Sequence, residues 1–194
     1  MGNKNFSIFY FTLSLLLFTQ GCNKHVVPEQ YRYLNFEGKV NQHKKVIKAK
    51  QETIFTMITD IDIFKTLYPT SLIEVSQASS DYLTIGTLRN TQTKYIVNLN
   101  WDSKVIELIE NKKIVLQFLN GIFQNGYEIW ELEACDDYTE VSHTVLYNIH
   151  GLFYSLVWSL KKGENRHDYL VEETLNGLKR KAEATILINE NAIH

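Results

Sequence analysis

His143 and Tyr147 stand four residues apart, with Val141, Val145 and Ile149 at the same parity. On an extended strand that alternation puts all five side chains on one face. If the face lines a cavity, a neutral imidazole could serve as a base near pH 7, and the phenol could orient or polarise a carbonyl. A hydrogen-bonded structural histidine satisfies the same pattern, and the residues leave both readings open. Glu131 and Glu133 share a face as a paired acid and base would. They alternate with Trp130, Leu132 and Ala134, so solvent exposure accounts for them. Trp101, Phe118 and Trp130 recur at alternating positions of successive strands, as a ligand wall or as core beneath a helix. The candidate ligand-binding set is therefore Trp101, Phe118, Trp130, His143 and Tyr147, with no catalytic residue assigned. The six His lack HxxxH and HExxH spacing, so no metal is expected. No Gly-rich phosphate loop follows a strand and no G-x-S-x-G elbow occurs, so no cofactor is expected.

The elements that must position these residues come from a chain of 194 residues, with 20 Lys plus Arg against 22 Asp plus Glu. The net charge of −2 argues against a nucleic-acid partner, for which a basic domain is the rule. An apolar content of 44% with 12% aromatic residues argues against disorder. Two Cys exclude a small disulfide scaffold, and Cys135, beside the Asp136-Asp137 turn, reads as a small core residue.

Residues 45–50 read as a strand and 51–59 as a helix with Ile54, Phe55 and Ile58 on one face. Asp60 is placed to cap a second short helix that Pro69 ends. Six strands are expected at about 71–78, 82–89, 93–109, 113–119, 126–134 and 139–150. Turn residues such as Asn120-Gly121, Asn125-Gly126 and Asp136-Asp137 join them into antiparallel hairpins. In 93–109, Tyr95, Val97, Leu99 and Trp101 alternate with Asn98 and Asn100, which predicts one wet and one covered face. The cover is a helix over 164–188, whose stripe is Val171, Leu175, Leu178, Ala182 and Ile186. Gly177 within it should cost about 1 kcal/mol relative to Ala, which points to a close approach there.

That order of elements resembles the START-like superfamily, also called SRPBCC or helix-grip. AKQETIFTMITDIDIFKTLYP is similar to its first strand and paired small helices. FLNGIFQNGYEIWELEACDDYTEVSHTVLYNI is similar to its last three strands, including Gly126, Trp130 and Thr139-Glu140-Val141. LVEETLNGLKRKAE resembles the final helix of polyketide cyclase and dehydrase-like members, and GIFQNGYEIWEL the coenzyme Q-binding START branch. The resemblance runs from about residue 40 to 186. It implies an α+β helix-grip fold, a curved antiparallel sheet around a long C-terminal helix, with a cavity for a lipid, isoprenoid or polyketide-like molecule. A cyclase or dehydratase-like enzyme using that cavity, or an envelope interaction module without ligand, are the alternatives.

Residues 6–18 carry no charge. As a helix they would rise about 20 Å, short of a hydrocarbon core of roughly 30 Å, which suits a secretory signal. The following Phe18-Thr19-Gln20-Gly21-Cys22 resembles the lipobox of bacterial lipoproteins, with Thr19 where Leu is usual. It implies cleavage after Gly21, a lipid on Cys22 and a domain held at a membrane outside the cytoplasm. An uncleaved N-terminal anchor gives the same placement. The expected organisation is a signal over 1–21, a lipidated tether over 22–36, the START-like domain over 37–188 and a tail over 189–194. Residues 151–162 (GLFYSLVWSLKK) are apolar nearly all round and end in two lysines. They fit either a membrane-inserting gate or a helix entry buried on the sheet.

Overall fold

A computed structural model describes residues 27–69, 71–78, 81–94, 98–160 and 162–191. The segment expected to be a signal, Cys22 and the last three residues lie outside them. Seven strands form one antiparallel sheet: β1 Lys39–Ile47, β2 Ile73–Gln77, β3 Leu88–Thr93, β4 Leu99–Ile109, β5 Lys113–Phe118, β6 Tyr127–Cys135 and β7 Tyr138–Tyr147. Their order across the sheet is β1-β7-β6-β5-β4-β3-β2. Two helices, α1 Gln51–Thr59 and α2 Ile61–Phe64, follow β1, and α3 Leu152–Leu160 and α4 Gly163–Asn191 follow β7. This is the expected α+β architecture, a curved sheet gripped against a long helix.

The first strand begins six residues before its expected start. β1 is an edge strand paired only to β7, and apart from Val40 its residues up to Lys45 are polar. Apolar alternation therefore marks only its end, at Ile47. α1 matches its prediction, with Ile54 and Ile58 fully buried. The Asp60 carboxylate accepts from the backbone N–H of Asp62 at 2.8 Å and of Ile63 at 3.1 Å, the predicted cap on α2.

The two strands expected at 82–89 and 93–109 are divided differently. The Leu83 N–H donates to the Thr59 carbonyl, and Tyr82 bridges Asp60, so 82–87 is tied to the end of α1 and β3 starts at Leu88. Thr93 pairs antiparallel with Leu99, so the stretch expected as one strand over 93–109 belongs to two. Tyr95 and Val97 fall within 95–97, outside the described residues. The outer face of the sheet is not uniformly wet. A 3-10 turn at Glu29–Leu34 lies on it and buries Tyr31 with Val115, Ile129 and Leu146. Cys135 is exposed, contrary to the core reading, because β6 runs past the core before its hairpin.

α4 is about 44 Å long and lays Val171, Leu175, Leu178 and Ala182 into the main core. The side chain of Ile186 is outside the description. The cluster also takes in Ile54, Ile58, Phe64 and Leu67 from the first helical segment and Ile114, Leu116 and Trp130 from the sheet. Gly177 is where the helix comes closest to the chain after α2: a Cβ there would lie 2.6 Å from the Leu67 carbonyl oxygen. Gly177→Ala gains about 1 kcal/mol of helix propensity, yet the backbone must separate to admit it. We expect a net loss of about 1–2 kcal/mol in urea unfolding. A variant as stable as the parent would show that this contact yields freely.

Candidate functional site

Between the sheet and α4 lies a half-enclosed cavity of about 70 Å³. Its apolar wall includes Trp101, Phe118, Phe123, Trp130 and Val171, and its polar side includes Glu128, His143 and His167. Strand parity explains the arrangement. Glu128 and Trp130 share the inner face of β6, and Trp130 pairs directly with His143 on β7. The Trp130 and His143 rings stand 4.3 Å apart, centroid to centroid. The Trp130 Nε1–H donates to Glu128 Oε1 at 2.8 Å, and His143 Nε2 lies 3.2 Å from the same oxygen. The His143 and Glu128 side chains are 7% and 12% exposed, which makes this a buried carboxylate–imidazole pair. His143 Nδ1 is buried without a hydrogen-bond partner.

Four of the five predicted ligand residues, Trp101, Phe118, Trp130 and His143, meet on this cavity. Tyr147 lies outside its lining. It packs behind Phe123 at 5.5 Å and Trp158 at 5.8 Å, and its hydroxyl donates to Glu164 at 3.4 Å. Burial and the Glu164 carboxylate both push its phenol well above the usual range, so it is not poised to titrate. Phe123 was not foreseen. It comes from the β5–β6 loop and touches Trp101, Phe118, Tyr147, Trp158 and His167. Glu128 and Arg89 were also missed, though Glu128 is in phase with Trp130. Glu131, at the opposite parity, accepts a hydrogen bond from the Tyr31 hydroxyl, while Glu133 is exposed.

Burial pushes Glu128 up, but the His143 hydrogen bond and charge, the Arg89 cation and the Trp130 N–H outweigh it and hold the carboxyl below its usual value. Arg89 is 2% exposed. Its guanidinium lies 3.9 Å over the Phe64 ring and donates to the Ile58 carbonyl at 3.4 Å, while Nε and Nη1 lack partners. Burial lowers its pKa, against the attraction of Glu128. His167, one turn before Val171 on α4, is pushed down to about 4 by burial first and by the nearby His143 second. Among the described residues no cluster of His, Cys, Asp and Glu could hold a metal ion.

Solved structures share this architecture. TTHA0849 from Thermus thermophilus superposes with a TM-score of 0.63 at 16% identity, covering 76% of this chain and 99% of its own. The KanY protein gives 0.60 at 12% identity over 76% of this chain and 99% of its own. Protein Ms6760 from Mycobacterium smegmatis gives 0.55 at 12% identity over 75% and 92%. The chain has the START-like helix-grip fold. No protein-family model matches it. The chain is also 31% identical over 114 residues to a tRNA (guanine(37)-N(1))-methyltransferase of Plasmodium knowlesi (strain H), and 32% identical over 114 residues to that of Plasmodium vivax (strain Salvador I). Those matches take in 52% of this chain but 16% of either relative, so it spans about a sixth of their length.

The His167 pKa yields a signed expectation. Between pH 6.5 and about 4 the unfolded chain binds a proton at this residue that the folded chain refuses. Stability from this group is therefore complete above pH 6.5 and is lost as pH falls towards 4. The unfolding free energy of the parent relative to His167→Gln should decline over that window, by at most about 1.4 kcal/mol per pH unit. Parallel pH profiles for the two proteins would contradict the assignment.

Proposed function

We propose that the chain is a lipid-anchored START-like domain, held at a membrane through Cys22, that shelters one end of a small hydrophobic molecule beneath α4. The observation that carries this reading is the cavity, apolar on most sides with a polar corner at Glu128 and His143. Apolar burial supplies affinity at roughly 25 cal/mol per Å² before ordering costs. Orientation comes from His143. When the imidazole is neutral and carries its proton on Nε2, the Glu128 carboxylate accepts that N–H and Nδ1 is left as a buried acceptor. A ligand that offers a hydroxyl or N–H donor at the tip of an apolar body satisfies that nitrogen.

Volume limits what enters. The cavity of about 70 Å³ is under half the roughly 150 Å³ that encloses benzene. A lipid, isoprenoid or polyketide-like molecule would therefore insert its head here and leave its tail outside, or displace Phe123. Phenol and toluene, whose rings would likewise stay at the mouth or displace Phe123 while the substituent enters, differ by one donor and test the assignment on the full chain in lipid nanodiscs. One added hydrogen bond of about 1 kcal/mol should make phenol bind about fivefold more tightly and move the Trp130 indole N–H resonance. Equal affinity, or an unmoved resonance, contradicts it.

The enzyme alternative has one observation behind it. A carboxylate that orients an imidazole whose other nitrogen has no partner, on a residue lining a cavity, is the arrangement of a general base. His143→Gln separates the two readings. In a carrier it weakens ligand binding by about tenfold or less; in a cyclase or dehydratase-like enzyme it abolishes turnover while ligand still binds.

A further inference from the structure

We propose that the outward face of α3 docks on a lipid bilayer. Leu152, Phe153, Leu156 and Leu160 are 93%, 64%, 58% and 70% exposed. Their spacing of i, i+1, i+4 and i+8 places them on one helical face. The nine residues of α3 contain no charge, and none of them is fully buried. The helix is held from its other side. Trp158 packs on Phe123 at 5.5 Å and on Tyr147 at 5.8 Å, and a Cβ on Gly163 would overlap its ring at 2.2 Å. The structure thus fastens the inner edge of α3 and leaves an apolar face turned to water, a costly arrangement unless something covers it.

The rest of the chain points to a bilayer as the cover. The 26 residues before Val27 include the uncharged run 6–18 and Gly21-Cys22. Whether lipidated at Cys22 or retained as an apolar anchor, that segment seeks a membrane, and Cys22 lies five residues from Val27. Such a span reaches at most about 18 Å, so the domain cannot stand far from the surface. Lys161 and Lys162 follow α3 in sequence, and Lys162 is exposed, beside where anionic headgroups would lie. At about 14 Å the helix is too short to span a membrane, and no described helix is long and apolar enough to do so. Lying in the interface with its apolar face down is the geometry left to it.

The inference rests on the anchoring proposed above, and the test reads the two separately. Full-length Phe153→Trp chain is mixed with phosphatidylethanolamine–phosphatidylglycerol vesicles, with and without bromine on the acyl chains. Flotation reports anchoring, and quenching of the added emission relative to the parent reports docking of α3. We expect flotation together with about twofold quenching, and loss of the quenching when Leu152→Glu and Leu156→Glu are added. If the Phe153→Trp chain fails to fold, Leu160→Trp carries the same readout. Flotation without quenching overturns the docking and leaves the anchor standing, whereas absence of flotation overturns both. A dimer in lipid-free buffer whose added tryptophan is already shielded also overturns it, in favour of a second copy of the chain.

Discussion

Glu128 holds a negative charge on the concave face of the sheet, and removing such a charge from water costs several kcal/mol unless it is paired and hydrogen-bonded. Its partners come from its own strand and the next: the indole N–H of Trp130 on β6 and the imidazole of His143 on β7. The β6–β7 register sets Trp130 opposite His143. A slip of one residue would turn Trp130 and His143 to opposite faces of the sheet and leave the carboxylate without its imidazole partner. Arg89 adds a cation from β3, held against Phe64 of α2. The sheet, the small helices and the cavity are thus coupled through one buried acid.

The same constraint shapes the cavity. A wholly apolar interior would close on itself by packing. A buried carboxylate whose imidazole partner uses one ring nitrogen and leaves the other unmet keeps one wall polar. Phe123 lines the cavity as well, touching Trp101, Phe118, Tyr147 and Trp158. Since Trp158 belongs to α3, the helix with the exposed face is packed onto the same aromatic cluster that bounds the cavity. Membrane contact and cavity access would therefore act on adjoining side chains.

Much of this architecture was legible in the chain because it rests on local signals. The Asp60 cap, the turn residues around Asn120 and Asn125, the Val171–Leu175–Leu178–Ala182 stripe and the close approach at Gly177 each have a local cause. Strand parity likewise brought Trp130 and His143 to the inner face. Parity does not report depth along a sheet, so Tyr147 was placed on the right face but not outside the cavity lining. Glu128 shared the parity of Trp130, and a carboxylate in phase with a core tryptophan was the available signal. Arg89 was hidden by a boundary. With a strand ending at residue 89 the cation would emerge into solvent, whereas β3 begins at Leu88 and turns Arg89 inward. The cover on the outer face depended on Tyr31, whose partners Glu131 and Thr144 lie 100 and 113 residues away.

The central claim is that the cavity beside Glu128 and His143 holds one end of a hydrophobic molecule. Native mass spectrometry of the full chain, extracted gently together with the membrane lipids of the cells in which it is made, tests it most directly. The account predicts a discrete adduct that organic solvent removes and that His143→Gln carries at reduced occupancy. A bare protein mass after extraction, with no adduct from any membrane lipid pool supplied to it, would contradict the account.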